Sequence, residues 1–498
     1  MRRKLLLFAI LITVSHLFVF SQITPKREFR GAWMHVIHQR QYQSMNSDSM
    51  KRYLSSALDD LQSMHINAVV FQVRPTADAF YASQLEPWSR YLTGTQGKPL
   101  DDGFDPMEFM ISECHNRNME FHAWLNPYRV TSLETDTLHE SHIYYRHPEW
   151  FVSYGNKLYF DPGLPESRDF ICEVVKDIVG RYDVDAIHMD DYFYPYPVAG
   201  EAFPDDDSFR KYAQSQGFSA EQRDDWRRNN VNLLIEQIKQ TILLTKPWVR
   251  FGISPFGIYR NKKNTPDGSG SDTNGLQNYD DLYADIKLWV EKGWIDYNLP
   301  QLYWEIGHPR ADYEVLIKWW SRNNYGAHLY IGQAVSSTMR DSQLAAKMEL
   351  ERTLPAVYGN CFWPAYELLK NTRGVADSLR TDYQQYPALI PAYLHLHRKA
   401  PKDVKSLKAE WTPEGYKLHW KRNGDIRDPE KAQYFVIYKF EDKEKVNLED
   451  PSKIVKITRE EELLLPYSDG KRKVKYVVTS VDRFHNETKK GKSKTVKL

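Results

Sequence analysis

A chain of 498 residues exceeds one small domain and predicts two or more. Lys plus Arg number 67 against 66 Asp plus Glu, so no strong global field favours nucleic acid or an acidic membrane surface as a partner. Aromatics reach 14%, with 32 Tyr and 14 Trp; buried packing is their commoner use, and stacking on sugar rings is the functional alternative.

The N-terminus opens with the basic stretch Met1-Arg2-Arg3-Lys4. An apolar run over 5–20 follows, with Val19 and Ser21 suited to a cut ahead of Gln22. This pattern predicts a signal peptide over 1–21 and an exported protein, whether periplasmic, cell-surface or secreted. The run is short for a membrane span of about 20 residues. No Cys follows it to take a lipid, and no later segment is apolar enough to cross a bilayer, so no stable span is expected after cleavage. Cys114, Cys172 and Cys361 are too few and too far apart for a disulfide framework and are expected to be small buried hydrophobes.

From Phe29 onward, short apolar runs alternate with longer amphipathic segments. The runs lie at 30–37, 67–73, 119–126, 184–190, 249–255, 295–303, 327–333 and 357–363. Helices are predicted at 49–64 behind Ser47 and Asp48, at 107–117 behind Asp105-Pro106, and at 165–182, 220–245, 278–291, 311–323 and 341–352. Eight strand-then-helix alternations predict an α/β fold, a (β/α)8 TIM barrel over 26–395. A doubly wound open sheet is the competing arrangement, but no Gly-rich dinucleotide loop follows the first strand. The long connections 74–104, 126–165, 192–219 and 256–277 all follow strands, on the face where barrel enzymes keep their active sites. After Lys399-Ala400-Pro401 no long helix is evident. Runs at 407–411, 416–420, 434–440, 454–457 and 473–481 alternate as half-exposed strands do, which predicts a small all-β sandwich domain over 401–498.

The fourth run ends in His188-Met189-Asp190-Asp191-Tyr192-Phe193, two adjacent carboxylates followed by aromatic rings. Alternation along a strand predicts one acid pointing into the barrel mouth and the other bracing the loop. Glycoside hydrolysis typically needs two carboxyl groups, one to protonate the leaving oxygen and one to act as nucleophile or base. Asp190 is the expected nucleophile, with Asp191 its rival. Glu305, at the end of the sixth run beside Tyr303 and Trp304, is the expected general acid. Other strand ends offer substrate contacts: Arg74, Asp78, His122, Asn126, Arg129, His188, Tyr192, Tyr303, Trp304 and Trp363. Arg74 and Arg129 can equally brace the mouth, and Asn126 can satisfy a backbone group. His35, His38, His122, His188 and His308 fit no common ligand spacing, so neither metal nor cofactor is expected. No Gly-x-Ser-x-Gly elbow supports a serine nucleophile.

Several ordered motifs resemble the glycosyl hydrolase-like 10 family (YngK type). They are Phe29-Arg30-Gly31-Ala32-Trp33, Gln72-Val73-Arg74-Pro75 with Asp78-Ala79-Phe80-Tyr81, Glu86-Pro87-Trp88-Ser89, the segment 122–129, His147-Pro148-Glu149-Trp150, Tyr159-Phe160-Asp161-Pro162-Gly163, and segments 187–194 and 252–257. The likeness runs from about residue 26 to 369. It implies a TIM-barrel glycosidase of exported bacterial proteins, acting on a polysaccharide or cell-wall glycan, with peptidoglycan strands stripped of peptides as one substrate. It also implies a nucleophilic Asp ending the fourth strand, two residues after a basic residue. Asp190 matches, but His188 stands where Arg or Lys would, which leaves its role open. The C-terminal part, through Trp420, the segment 434–438 and the segment 476–482 leading to Asn486-Glu487, resembles a fibronectin type III domain. Two functions compete with hydrolysis: glycan binding on a degenerate barrel, and metal-dependent polysaccharide deacetylation.

Overall fold

The computed structural model describes residues 24–498 apart from position 468; the signal peptide expected over 1–21 lies outside the described residues. Eight parallel strands close into a barrel. In chain order they are β1 (Phe29–Met34), β2 (Ala68–Arg74), β3 (Glu120–Leu125), β4 (Ala186–Met189), β5 (Arg250–Ile253), β6 (Tyr297–Asn298), β7 (His328–Ala334) and β8 (Val357–Trp363). β1 pairs with both β2 and β8, which closes the ring. The open-sheet alternative is thereby excluded.

Period-two alternation sorts each strand between two cores. Val69, Phe71 and Val73 of β2 face the surrounding helices, whereas Ala68 and Val70 face the barrel interior with Phe29, Trp33, Trp124, Ala186, Tyr297, Tyr330 and Cys361. Tyr297 lies across the axis against Gly252 of β5. A Cβ at position 252 would come within 1.9 Å of its ring, so the neighbouring strand has to offer a glycine there.

The helices form for the reasons expected, with adjusted ends. Asn46, rather than Ser47 or Asp48, caps the helix Ser47–Ser63 by accepting from Ser49 N. Asp105 caps Pro106–Asn116, where proline costs nothing at the first turn. The single helix expected over 278–291 is instead two short pieces, Asn278–Asp281 and Ile286–Glu291. Tyr283 interrupts them at φ 54°, and its hydroxyl accepts from Arg227 over 2.8 Å. The sixth strand is also shorter than the run 295–303. Pro300 has no N–H for the ladder, and pairing resumes at Gln301 through bridges to Phe256 and Gly332.

The three cysteines are free and buried. Among the described residues, no helix is long and apolar enough to cross a membrane.

The C-terminal part is all β. Strands β9 (Lys405–Thr412), β10 (Gly415–Lys421), β11 (Tyr434–Glu441), β12 (Ile454–Thr458), β13 (Glu462–Leu465), β14 (Lys473–Val481) and β15 (Lys492–Lys497) form two antiparallel sheets, β9-β10-β13 and β12-β11-β14-β15. Leu418 and Trp420 of one sheet share a core with Phe435, Ile437, Val474 and Val478 of the other. The outer face of the second sheet, including Val436, Tyr438 and Val477, packs on Leu389 from the barrel's tail. β13 and β15 escaped the sequence pattern. β15 reads Lys-Ser-Lys-Thr-Val-Lys, an edge strand whose lysines deter pairing with a further strand.

Candidate active site

At the carboxyl end of the barrel a pocket of about 400 Å³ opens over the strand ends. Its aromatic walls are Trp33, Trp124, Tyr192, Tyr303 and Trp363, and its two carboxyl groups are Asp190 and Asp191. Both acids are almost fully buried. The expectation that one would turn away does not hold. β4 ends at Met189, whose carbonyl takes the last ladder bond from Ser254 N at 2.8 Å. Asp190 continues the inward face of Ala186 and His188. Asp191 already lies beyond the strand, so alternation no longer directs it outward.

Each acid is gripped by its own donors. Oδ2 of Asp190 accepts from Trp124 Nε1 at 3.1 Å and from Asn126 Nδ2 at 2.5 Å. The Asn126 amide is itself fixed, because its oxygen accepts from Gln72 Nε2 at 2.9 Å and Arg129 at 2.5 Å. Gln72 in turn accepts from the backbone N–H groups of Val36 and Ile37, both at 3.1 Å. Oδ1 of Asp191 accepts from Gln301 Nε2 at 3.1 Å, and its other oxygen accepts from the Tyr196 hydroxyl. Gln301 is held by the carbonyl of Ser254 at 2.9 Å.

Burial, reinforced by the charge of Asp191, pushes the Asp190 carboxyl up to about 7. Burial also raises Asp191, while the Tyr196 and Gln301 hydrogen bonds pull against that rise. Two acids this close in a desolvated pocket lose their protons in separate steps. The pair therefore carries one proton into the neutral range, and such a pair can supply an acid and a charged carboxylate at once.

Residues 28–347 match the family described as glycosyl hydrolase-like 10. The chain belongs to this family. It is 44% identical over 484 residues to glycosyl hydrolase YngK of Bacillus subtilis (strain 168), covering 94% of this chain and 93% of that protein. It is 38% identical over 327 residues to glycosyl hydrolase DigH of Escherichia coli (strain K12), covering 61% of this chain and 72% of that protein. Among solved structures, the PgaB (BpsB) glycoside hydrolase domain from Bordetella bronchiseptica aligns at a TM-score of 0.48 and 11% identity, over 71% of this chain and 98% of that one.

On this member of the glycosyl hydrolase-like 10 family, the expected site residues separate by depth. Asp190, Asp191, Arg129, Tyr192, Tyr303 and Trp363 line the pocket. Arg129 also lies under the Tyr192 ring, 5.0 Å from its centre, so it braces and lines at once. Asn126 lies directly behind Asp190 rather than in the lining.

The remaining expected residues do not line the pocket. Arg74 is wholly buried, its fork on Glu86 at 2.6–3.0 Å and on the carbonyls of Asn126 and Pro127. Asp78 is spent on Thr76 and Gln96, each at 3.1 Å. His122 and His188 lie within the barrel, both bonded to the Tyr297 hydroxyl at 2.9 Å. Trp304 packs behind Phe256, ring centres 5.4 Å apart. Glu305 is also outside the lining, and its charge acts on Arg340 and Lys347. Each of these sits within a barrel strand or in the loop that follows one, which sequence registers, but a layer below the mouth or beyond its rim, which sequence does not.

Gln72, Gln301, Tyr196, Trp33 and Trp124 also shape the site, although none stands among the expected catalytic or substrate-binding residues. Gln72 and Gln301 stand at inward positions of strand ends, and that signal was available. Trp33, His35 and His38 also line the mouth, and burial pushes His35 down to about 4. Among the described residues no group of three His, Cys, Asp or Glu side chains is placed to hold a metal ion.

Proposed function

We propose that the protein is an exported glycoside hydrolase that cleaves O-glycosidic bonds in a polysaccharide or cell-wall glycan, with denuded peptidoglycan strands as the first substrate to try. The observation that carries this reading is the buried Asp190–Asp191 pair in a pocket walled by five large aromatic rings from β1, β3, β8 and the loops after β4 and β6. The rings suit the apolar faces of sugars, and the pair suits proton donation beside a fixed negative charge. Relatives named glycosyl hydrolases support the same class of chemistry.

In this proposal Asp190 keeps the shared proton and gives it to the leaving oxygen. Asp191, held charged by Tyr196 and Gln301, stabilises the developing positive charge or attacks it. That reverses the expectation of Asp190 as nucleophile and moves the acid away from Glu305. The basic, then apolar, N-terminal segment supports export, and the C-terminal sheets support a fibronectin type III-like accessory.

Product analysis on purified glycans, denuded peptidoglycan included, tests the proposal. Asp190→Asn should lower turnover of natural glycan by about a thousandfold, within the range of general acid–base catalysis, while circular dichroism stays unchanged. Binding without any product from the native protein would leave only a glycan-binding role.

A further inference from the structure

A second polar feature runs along the barrel axis, beneath the pocket and away from its acids. It begins in the C-terminal module, where Tyr434 Oη lies 3.0 Å from Nδ1 of His485, and Nε2 of His485 lies 2.6 Å from Oε1 of Glu120 at the start of β3. Oε2 of Glu120 is 3.0 Å from Nε2 of His122. Nδ1 of His122 is 2.9 Å from the Tyr297 hydroxyl, which is 2.9 Å from Nδ1 of His188. Nε2 of His188 accepts from the indole N–H of Trp33 at 3.3 Å. Trp33 lines the pocket. Every side chain from His485 to Trp33 is buried.

The donors and acceptors fix the direction of the column from Trp33 down to Glu120. An indole only donates, so Nε2 of His188 is bare and its Nδ1 carries the hydrogen. Tyr297 accepts that hydrogen and passes its own to Nδ1 of His122. Nε2–H of His122 then donates to Glu120, a carboxylate that Arg250 and His485 hold in its charged form. A hydrogen on both ring nitrogens of His122 would leave the Tyr297 hydroxyl hydrogen without an acceptor, so no other assignment pairs every donor with an acceptor. Glu120 therefore sets the tautomers above it. Glu120 is itself anchored by His485, and by Arg250, whose guanidinium also lies 2.9 Å from the His485 ring.

We propose that the C-terminal module is a working part of the barrel's active end: through His485 and Glu120 it anchors a proton-ordered column that holds Trp33 in the pocket wall. His485, Glu120, His122, Tyr297 and His188 are positioning residues for Trp33. The consequence for turnover rests on the glycosidase reading of the pocket, but the consequence for Trp33 does not.

Glu120→Gln supplies the sharpest perturbation. The glutamine oxygen is drawn to the Arg250 guanidinium, which turns its NH2 toward His122. Two donors then meet, and the column above has to reverse. His485→Leu removes the anchoring ring without touching the barrel, and His485→Gln restores a polar side chain there. The experiment uses the full chain with 15N-labelled tryptophan, the indole signal of Trp33 being assigned by its loss in Trp33→Phe. Thermal midpoint and kcat/KM on glycan strands are measured beside it.

The Trp33 signal is expected to move in Glu120→Gln and in His485→Leu and to return toward its native position in His485→Gln. kcat/KM should follow, falling roughly tenfold in the first two. An unmoved Trp33 signal in folded Glu120→Gln and His485→Leu overturns the proposal, even if activity falls. If the native protein cleaves no glycan, the glycosidase reading fails while the Trp33 signal still decides this one.

Discussion

The amide of Asn126 donates to Oδ2 of Asp190 across 2.5 Å and has no freedom to turn, because Gln72 and Arg129 both donate to its oxygen. Asp190 is thus aimed by a chain of contacts that begins at the backbone of Val36 and Ile37. Asn126→Ala should lower kcat by about 10- to 100-fold, the worth of one hydrogen bond to a carboxyl that becomes charged as it gives up its proton. The KM should change little, since Asn126 is not in the lining. Steady-state kinetics on a defined glycan separate the two parameters, and an unchanged kcat would show that the aim of Asp190 does not matter.

The division of labour within the acid pair is open to direct test by leaving-group chemistry. A departing phenolate of low basicity needs no proton. Asp190→Asn should therefore regain much of its activity on a dinitrophenyl glycoside, and Asp191→Asn should not. The opposite pattern would restore Asp190 as nucleophile. Glu305→Gln, outside the pocket, should stay within about twofold of native turnover, because a surface charge beyond the site contributes little. A thousandfold loss there would return the acid's role to Glu305.

The raised carboxyls make a stability prediction with a definite sign. A group whose proton is held more tightly in the folded chain adds stability that is complete below its unfolded pKa. That stability is lost as pH rises through the folded value. Burial and the Asp191 charge raise Asp190 to about 7, so the pocket weakens the fold as pH climbs from the acid range to neutrality, and the loss is complete above that. Asp190→Asn should melt higher than the native protein at about pH 8 and show no such advantage at about pH 4. Differential scanning calorimetry at the two values checks this, with a gain of roughly a degree or two at the higher pH. An equal gain at both would detach the effect from ionisation.

Arg74 and Arg129 look alike in sequence, each within two residues of a proline and at or shortly after the end of a strand. Arg74 forks onto Glu86 with no exposed surface, whereas Arg129 lies part-exposed in the pocket wall. Arg74→Ala should cost about 3–5 kcal/mol, as breaking a buried pair leaves Glu86 uncompensated. Arg129→Ala should be milder in the melt and show instead in glycan affinity. Denaturant titration and a binding isotherm, run on both variants, distinguish brace from wall.

Much of this protein was written locally. Eight apolar runs alternating with amphipathic segments specified the barrel, because a parallel strand covered on both faces must be apolar nearly throughout. The long loops after those runs marked the working face, and the His188–Asp190 alternation gave the inward direction of the first acid. Depth was not local. His122 and His188 point inward as Asp190 does, yet lie one layer down, because barrel tilt and stagger decide how high each strand end rises. Asp191 joins the pocket because the β4 ladder stops at Met189, which depends on where β5 ends beside it. Glu120 meets His485 across 365 positions of sequence, a contact that only the docking of the second sheet onto the barrel could create. Period and polarity of neighbours fixed which residues face inward; closure of the ring and packing of the module decided which of those meet.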